Sequence, residues 1–201
     1  MSFHPPIDYG AGRHRSQRRQ PVDDGEPFQY TDEHRALLEE IARRYPPERR
    51  QSAILPALYL AQRQKGFVTL NAIAHVAEVI GCTAAEVEDV VSFYTMYHTR
   101  PMGQYVVQVC RTLPCALRGA ERVTEALAEA LGVGVGETDP SGTFSLLEVE
   151  CLGACDRAPV VMVNDGWHEC LAPDDARALA GELRARGEAA LSGCHHRVEK
   201  P

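Results

Sequence analysis

Apolar and polar positions along the chain change their period near residue 100. Between residues 31 and 99 they recur at helical spacing. Thr31 or Asp32 caps a first helix carrying Leu37, Leu38, Ile41 and Tyr45, and Pro46-Pro47 stops it. A second helix, about Arg49 to Lys65, places Ile54, Leu55, Leu58 and Ala61 on one face. Pro56 lies inside it and predicts a kink, because its ring removes a backbone donor and clashes with the preceding turn. A third helix is expected from Asn71 to Ile80, capped by Thr69 and ended by Gly81. The fourth opens on Thr83-Ala-Ala-Glu86, a capping-box pattern, and continues through Val87, Val90, Val91 and Tyr94. Four short helices with brief connections predict a small bundle over residues 31–99.

From Gly103 the period shortens. Tyr105 to Val109 is a β-rich run, followed by an amphipathic helix from Ala116 to Leu131 with Val123, Leu127, Ala130 and Leu131 inside. Phe144 to Val149 is a second strand. Val160 to Val163 is a third, joined to Trp167–Leu171 across Asn164-Asp165-Gly166, a strong hairpin-turn signal. Pro173-Asp174-Asp175 starts a last helix with Ala176, Leu179 and Leu183 on one face. The order β-α-β-β-β-α is that of a mixed sheet with helices against it, compatible with a reduced thioredoxin-like layer. The expected division is a disordered arm at 1–30, a helical bundle at 31–99, an α/β domain at 100–187 and a polar tail at 188–201. The arm reading rests on its proline pairs, scarce aliphatics and lack of any period.

Composition narrows the function classes. The chain has 201 residues, 44% hydrophobic and 24% charged, as in a soluble globular protein. With 28 acidic against 21 basic residues it has a net charge of −7, which argues against a general nucleic-acid binder or a binder of anionic membranes. The longest apolar run, Ala53 to Ala61, contains Pro56 and falls well short of the ~20 residues that cross a bilayer. No apolar segment follows the start, so a reducing compartment is expected. There, 7 cysteines point to metal before disulfides. Gly132-x-Gly134-x-Gly136 follows a helix instead of a strand and so fails as a dinucleotide loop. Neither a Ser-His-Asp set nor a carboxylate pair stands out.

Four cysteines form two close pairs, Cys110-x4-Cys115 and Cys151-x3-Cys155, each just after a predicted strand. If those strands are parallel neighbours, both pairs lie at one edge of the sheet. Four converging thiolates suit either structural zinc or an iron–sulfur cluster, and the x4 and x3 gaps leave each pair room to chelate one metal of a binuclear centre. Cys115 falls at a helix start, where backbone N–H groups favour a thiolate. Leu113-Pro114 and Leu152-Gly153-Ala154 would limit water access to the sulfurs, and Gly153 would let N–H groups approach. Arg111, Arg118 and Arg157 would offset the cluster's negative charge, and Glu148, Glu150 and Asp156 would oppose them. Cys82 reads as a helix-junction residue, Cys170 as a buried apolar side chain, and Cys194-His195-His196 as a polar tail. Phe93, Tyr94, Met96, Tyr97 and His98 form an aromatic patch suited either to packing or to docking. Pro159 after Ala158 stands where thioredoxin-like folds often carry a cis proline. His75 reads as a boundary residue.

Three segments, Val-Gln-Val-Cys110-Arg-Thr-Leu-Pro-Cys115, Glu150-Cys151-Leu-Gly-Ala-Cys155 and Ala158-Pro159-Val160, resemble the thioredoxin-like 2Fe-2S subunit of respiratory NADH:quinone oxidoreductase, the NuoE type. Ser52 to Leu58 and Val91 to Tyr97 resemble that family's N-terminal bundle, and Gly136-Glu-Thr138 and Gly142-Thr-Phe144 its approach to the second cysteine pair. The likeness covers about residues 31–185. It implies one 2Fe-2S cluster, with Cys110 and Cys115 on one iron and Cys151 and Cys155 on the other. It also implies a partner flavoprotein subunit that alone binds FMN and NADH, in a complex peripheral to the inner membrane on its cytoplasmic side, or the matrix side if mitochondrial. Related subunits occur in NAD-linked hydrogenases and formate dehydrogenases. A zinc-stapled interaction module is the reading from another class.

Overall fold

The computed structural model of the chain describes residues 20–193. The tail motif Cys194-His195-His196 and most of the expected arm lie outside them. The chain divides into two compact units at Pro101–Met102.

The first unit is helical. Helix α1 (Asp32–Ala42) is capped by Thr31, whose hydroxyl accepts the His34 N–H, and a 3-10 stretch (Pro47–Ala53) leads into α2 (Ile54–Lys65). Helix α3 (Leu70–Ile80) has Thr69 as its cap, and α4 (Ala84–Phe93) carries the reciprocal Thr83–Glu86 capping box. The kink expected at Pro56 is absent because the α-helix begins at Ile54. Pro56 therefore lies in the first turn, where backbone N–H groups have no intrahelical acceptor to lose. Leu38, Leu58, Val68, Val76 and Val87 fill the core. The arm does not reach residue 30. Phe28 and Tyr30 are buried in this core, Tyr30 donates its hydroxyl to the Ala57 carbonyl at 2.7 Å, and Lys65 pairs with Asp24 at 3.0 Å and with Glu26. Two aromatic anchors among polar residues make no period to read. Leu70–Ile80 and Ala84–Phe93 together have the apolar content of a membrane span, but they bend by 119° and bury Ile73, Val76, Ile80, Val87 and Val91 in the bundle. Among the described residues no single helix is long and apolar enough to cross a membrane.

The second unit is a five-stranded mixed sheet with order β2-β3-β1-β4-β5. Its strands are β1 (Tyr105–Cys110), β2 (Glu137–Thr138), β3 (Phe144–Val149), β4 (Val161–Val163) and β5 (Gly166–His168). Only β1 and β3 run parallel; the remaining neighbours are antiparallel. The expected helix over 116–131 is two helices, α5 (Leu113–Leu117) and α6 (Ala120–Leu131). Gly119 separates them at φ +91°, a left-handed conformation that ends one helix and caps the next. Helix α6 buries Val123, Leu127 and Leu131 beside β1 and β3, and α7 (Pro173–Arg186) packs against it with Ala176, Leu179, Ala180 and Leu183. Val107, Val109 and Leu146 complete this core.

Three details differ from expectation. The short exposed strand β2 carries no apolar alternation that would predict it. The hairpin strand starts at Gly166, after a two-residue loop in which Asn164 adopts φ +51°. Asn164 accepts the Val106 N–H at 2.9 Å and donates to the Gln104 carbonyl at 3.1 Å, fastening the hairpin to the start of β1. Residues 187–193 form a 3-10 segment with Ala190 buried in the core, so the polar tail does not begin at 188. Close packing also fixes the base of the parallel pair. A Cβ on Gly103 would come within 2.6–2.9 Å of the Phe144 backbone, so only glycine allows that approach.

Candidate metal centre

Parallel pairing decides where the cysteines lie. Cys110 ends β1 opposite Val149 at the end of β3, and the Arg111 N–H continues the ladder to the Val149 carbonyl at 3.0 Å. The loops leaving these adjacent strand ends, Arg111-Thr112 and Glu150-Cys151, therefore start side by side. The four paired cysteines come together as two pairs. Cys151 and Cys155 have their sulfurs 3.5 Å apart, and Cys110 is hydrogen-bonded to Cys115. All four are free thiols. Among the described residues no group of three or more His, Cys, Asp or Glu side chains is arranged to hold one metal ion.

Backbone donors converge on these sulfurs. The Gly153 N–H donates to Cys151 Sγ at 3.3 Å, from a residue at φ +89° that a side chain would strain. Leu152 and Thr112 offer their N–H groups to Cys110, and Val160 offers its own to Cys115. The peptide bond Ala158–Pro159, just before Val160, is cis. Thr112 Oγ1 lies 3.3 Å from Cys110 Sγ.

Each pair contains one easily ionised thiol and one reluctant one. Burial works to raise Cys110, but hydrogen bonds from the Thr112 hydroxyl and from the Leu152 and Thr112 N–H groups outweigh it and hold the thiol below its ordinary value. The Gly153 N–H does the same for Cys151, helped by Cys155 and Thr112. Burial, with the hydrogen bond that the Cys115 thiol donates to Cys110, pushes Cys115 up to about 11, and the bond with Cys151 raises Cys155. The expected activation of Cys115 by a helix start is thus reversed. Its helix spans only residues 113–117, and burial beside another thiol dominates.

Shielding is one-sided. Cys110 and Cys115 are each 2% exposed, whereas Cys151 and Cys155 lie at the surface. Leu152 and Ala154 pack on the core, but Leu113 is 70% exposed and does not cover the sulfurs as expected. Of the nearby arginines, Arg111 is paired with Glu150 at 2.9 Å and Arg157 with Asp156 at 3.5 Å, so both are largely neutralised before they could offset a charged centre. Arg118 caps the C-terminal end of α5. Cys82 is half-buried at the helix junction, as its position between Gly81 and Thr83 implies. Cys170, expected to be buried, is exposed: β5 has ended at His168, and the chain turns at φ +52° so that the Cys170 N–H reaches the Arg157 carbonyl. Phe93, Tyr94 and Met96 are exposed, while Tyr97 is buried with its hydroxyl on the Leu55 carbonyl. His75 is a boundary residue, its Nε2 3.5 Å from the Tyr30 backbone nitrogen.

A family model described as thioredoxin-like [2Fe-2S] ferredoxin matches residues 38–184. The chain belongs to this family. Its relatives in the family include NADH-quinone oxidoreductase subunit 2 of Thermus thermophilus, 43% identical over 176 residues, which are 85% of this chain and 97% of that one. An NADH-quinone oxidoreductase subunit of Rickettsia bellii is 42% identical over 158 residues, 78% of this chain and 95% of the relative. Among solved structures, an NAD+-reducing [NiFe]-hydrogenase in its H2-reduced state superposes with a TM-score of 0.56 at 18% identity, over 66% of this chain and 23% of that chain, and so shares the fold. Family membership agrees with the thioredoxin-like expectation for the sheet unit. Sequence reasoning missed Thr112. As a threonine just before Leu113-Pro114 it looks like an ordinary helix cap, and only its hydroxyl's contact with the Cys110 sulfur sets it apart.

Proposed function

We propose that the chain is the 2Fe-2S electron-transfer subunit of an NADH-oxidising module in NADH:quinone oxidoreductase. Cys110 and Cys115 hold one iron of the cluster, and Cys151 and Cys155 hold the other. One observation supports this most: neighbouring parallel strands each release a thiol pair, and backbone N–H groups approach the sulfurs of both. This donor set is all cysteine sulfur, grouped two and two at neighbouring strand ends, which suits a binuclear iron–sulfur centre in which each pair chelates one iron. The cluster, when bound, takes up and gives back one electron at a time.

The chain's own residues do the remainder. The thiols at positions 110 and 151, held below their ordinary values, are the first available as thiolates, and the N–H groups of Leu152, Gly153 and Val160 stabilise negative charge on sulfur. Hydride chemistry belongs to a partner flavoprotein carrying FMN and NADH, with which this chain exchanges single electrons. The whole module lies peripheral to the membrane. The quinone-reducing host is preferred to an NAD-linked hydrogenase because relatives more than 40% identical bear NADH-quinone oxidoreductase names, whereas the hydrogenase likeness concerns fold alone.

Anaerobic purification tests the reading. The protein should be red-brown, contain two irons and two sulfides per chain, bleach with dithionite and give an electron paramagnetic resonance signal on reduction. A colourless protein with one zinc per chain would refute the cluster. Co-purification with hydrogenase subunits in place of quinone-reducing ones would move the host.

A further inference from the structure

We propose that the Thr112 hydroxyl is a positioning group for the cluster, donating its one proton to the sulfur of Cys110 and favouring the reduced state. The inference rests on the ligation proposed above. Four helices in the described chain begin at a threonine N-cap. At three of them, Thr31, Thr69 and Thr83, the side-chain oxygen accepts a backbone N–H from the first helical turn, which is the usual work of such a residue. Thr112 has the same extended backbone, with φ −74° and ψ 170°, yet makes no capping bond. Its hydroxyl is instead directed at sulfur, 3.3 Å from Cys110 Sγ.

The chemistry of the hydroxyl sets its direction. It has one proton to give and two lone pairs. Sulfurs bound to iron have no proton, so Thr112 serves them only as a donor. A hydrogen bond to a sulfur gains strength as negative charge accumulates there, and hydrogen bonds to the sulfurs are among the factors that set a cluster's potential. The backbone donors at Leu152, Gly153 and Val160 act in the same sense, but side-chain substitution leaves them in place. Thr112 offers a donor that substitution removes.

The test is a redox titration of the full chain followed by electron paramagnetic resonance. Thr112→Val removes the O–H and keeps the branched shape, whereas Thr112→Ser keeps the O–H and loses the methyl. With iron and sulfide content unchanged, Thr112→Val should weaken the electron-accepting equilibrium roughly tenfold, a drop of about 59 mV for a one-electron couple, and Thr112→Ser should titrate with the unsubstituted protein. If Thr112→Val takes up no iron, Thr112→Ala carries the same comparison, and failure of both while Thr112→Ser loads normally supports the positioning role. Equal potentials for loaded Thr112→Val and unsubstituted protein overturn the inference. A Thr112→Ser potential that falls with Thr112→Val also overturns it, since packing of the methyl is then the cause. An unsubstituted chain that binds no iron–sulfur cluster overturns the ligation reading as well, which separates the two failures.

Discussion

The two thiol pairs proposed to share one cluster belong to different parts of the protein's architecture. Cys110 and Cys115 are part of the hydrophobic core, packed in the cluster that includes Val109, Ala120 and Val160. Cys151 and Cys155 lie at the surface in a loop whose shape comes from Gly153 at φ +89° and one 3-10 turn, Cys155–Arg157. The difference follows from what succeeds each strand. After β1 the chain enters α5 within three residues, and Cys115 on its inner side closes the end of the core. After β3 it runs through a turn with few apolar residues and nothing deep to bury. One pair is therefore held by the packing of the core, while the other is held by the turn and hydrogen bonds of its own loop.

Serine substitution should expose this asymmetry most strongly. Any of the four changes should remove or alter the cluster, read as lost iron, sulfide and visible absorbance. Thermal unfolding of the metal-free proteins separates them further. Cys110→Ser and Cys115→Ser place a hydroxyl in the core and should cost about 1–3 kcal/mol. Cys151→Ser and Cys155→Ser should leave the unfolding midpoint where it was. A normal cluster in Cys151→Ser would contradict the ligand assignment, and equal destabilisation at all four positions would erase the contrast between core and loop.

Alkylation of the metal-free protein sharpens the same contrast through ionisation. The thiolate is the reactive form, so rates follow its population. A thiol at about 11 holds roughly a hundredfold less thiolate at pH 8 than one at the ordinary 9.0. Cys151, exposed and held below that ordinary value, should be modified first, and Cys115 should lag it by roughly a hundredfold or more. Raising the pH increases thiolate, so the Cys115 rate should climb until about pH 11, whereas the Cys151 rate levels off earlier. Mass spectrometry of the digested protein reads both. Equal rates would show that the pairs are interchangeable before metal enters.

Features with local causes are legible in the sequence, and features set by distant partners are not. The threonine caps, the Gly66 and Gly81 helix ends and the β-rich runs need only neighbours along the chain, and the spacing of the cysteines after two strands carries the site. Pro56 misleads because its effect depends on where the helix starts, which the preceding 3-10 stretch decides. Phe28 and Tyr30 are too few to make a period, yet the bundle core takes both. The exposure of Cys170 depends on a carbonyl thirteen positions away, at Arg157. Thr112 is the clearest case: its residue type and its place before a helix predict a cap, but its hydroxyl makes no capping bond and lies against the sulfur of Cys110.

The smallest effect concerns the charged link between the two loops. Arg111, just after Cys110, reaches Glu150, just before Cys151, with Nε at 3.2 Å and a terminal nitrogen at 2.9 Å from the same carboxylate oxygen. The pair crosses from the loop of the buried thiols to that of the exposed ones. Its side chains are 34% and 59% exposed, so water screens the attraction, and a double-mutant cycle with Arg111→Ala and Glu150→Ala should give a coupling of only about 0.2–1 kcal/mol, shrinking as salt rises. The redox consequence is separable from stability. Glu150→Gln removes a negative charge beside the site and should raise the midpoint potential, whereas the double alanine variant removes both charges and should move it less. If Glu150→Gln leaves the potential unchanged at low salt, the charges at the strand ends do not act on the cluster, and the two loops are linked electrically only through the hydrogen bonds to sulfur.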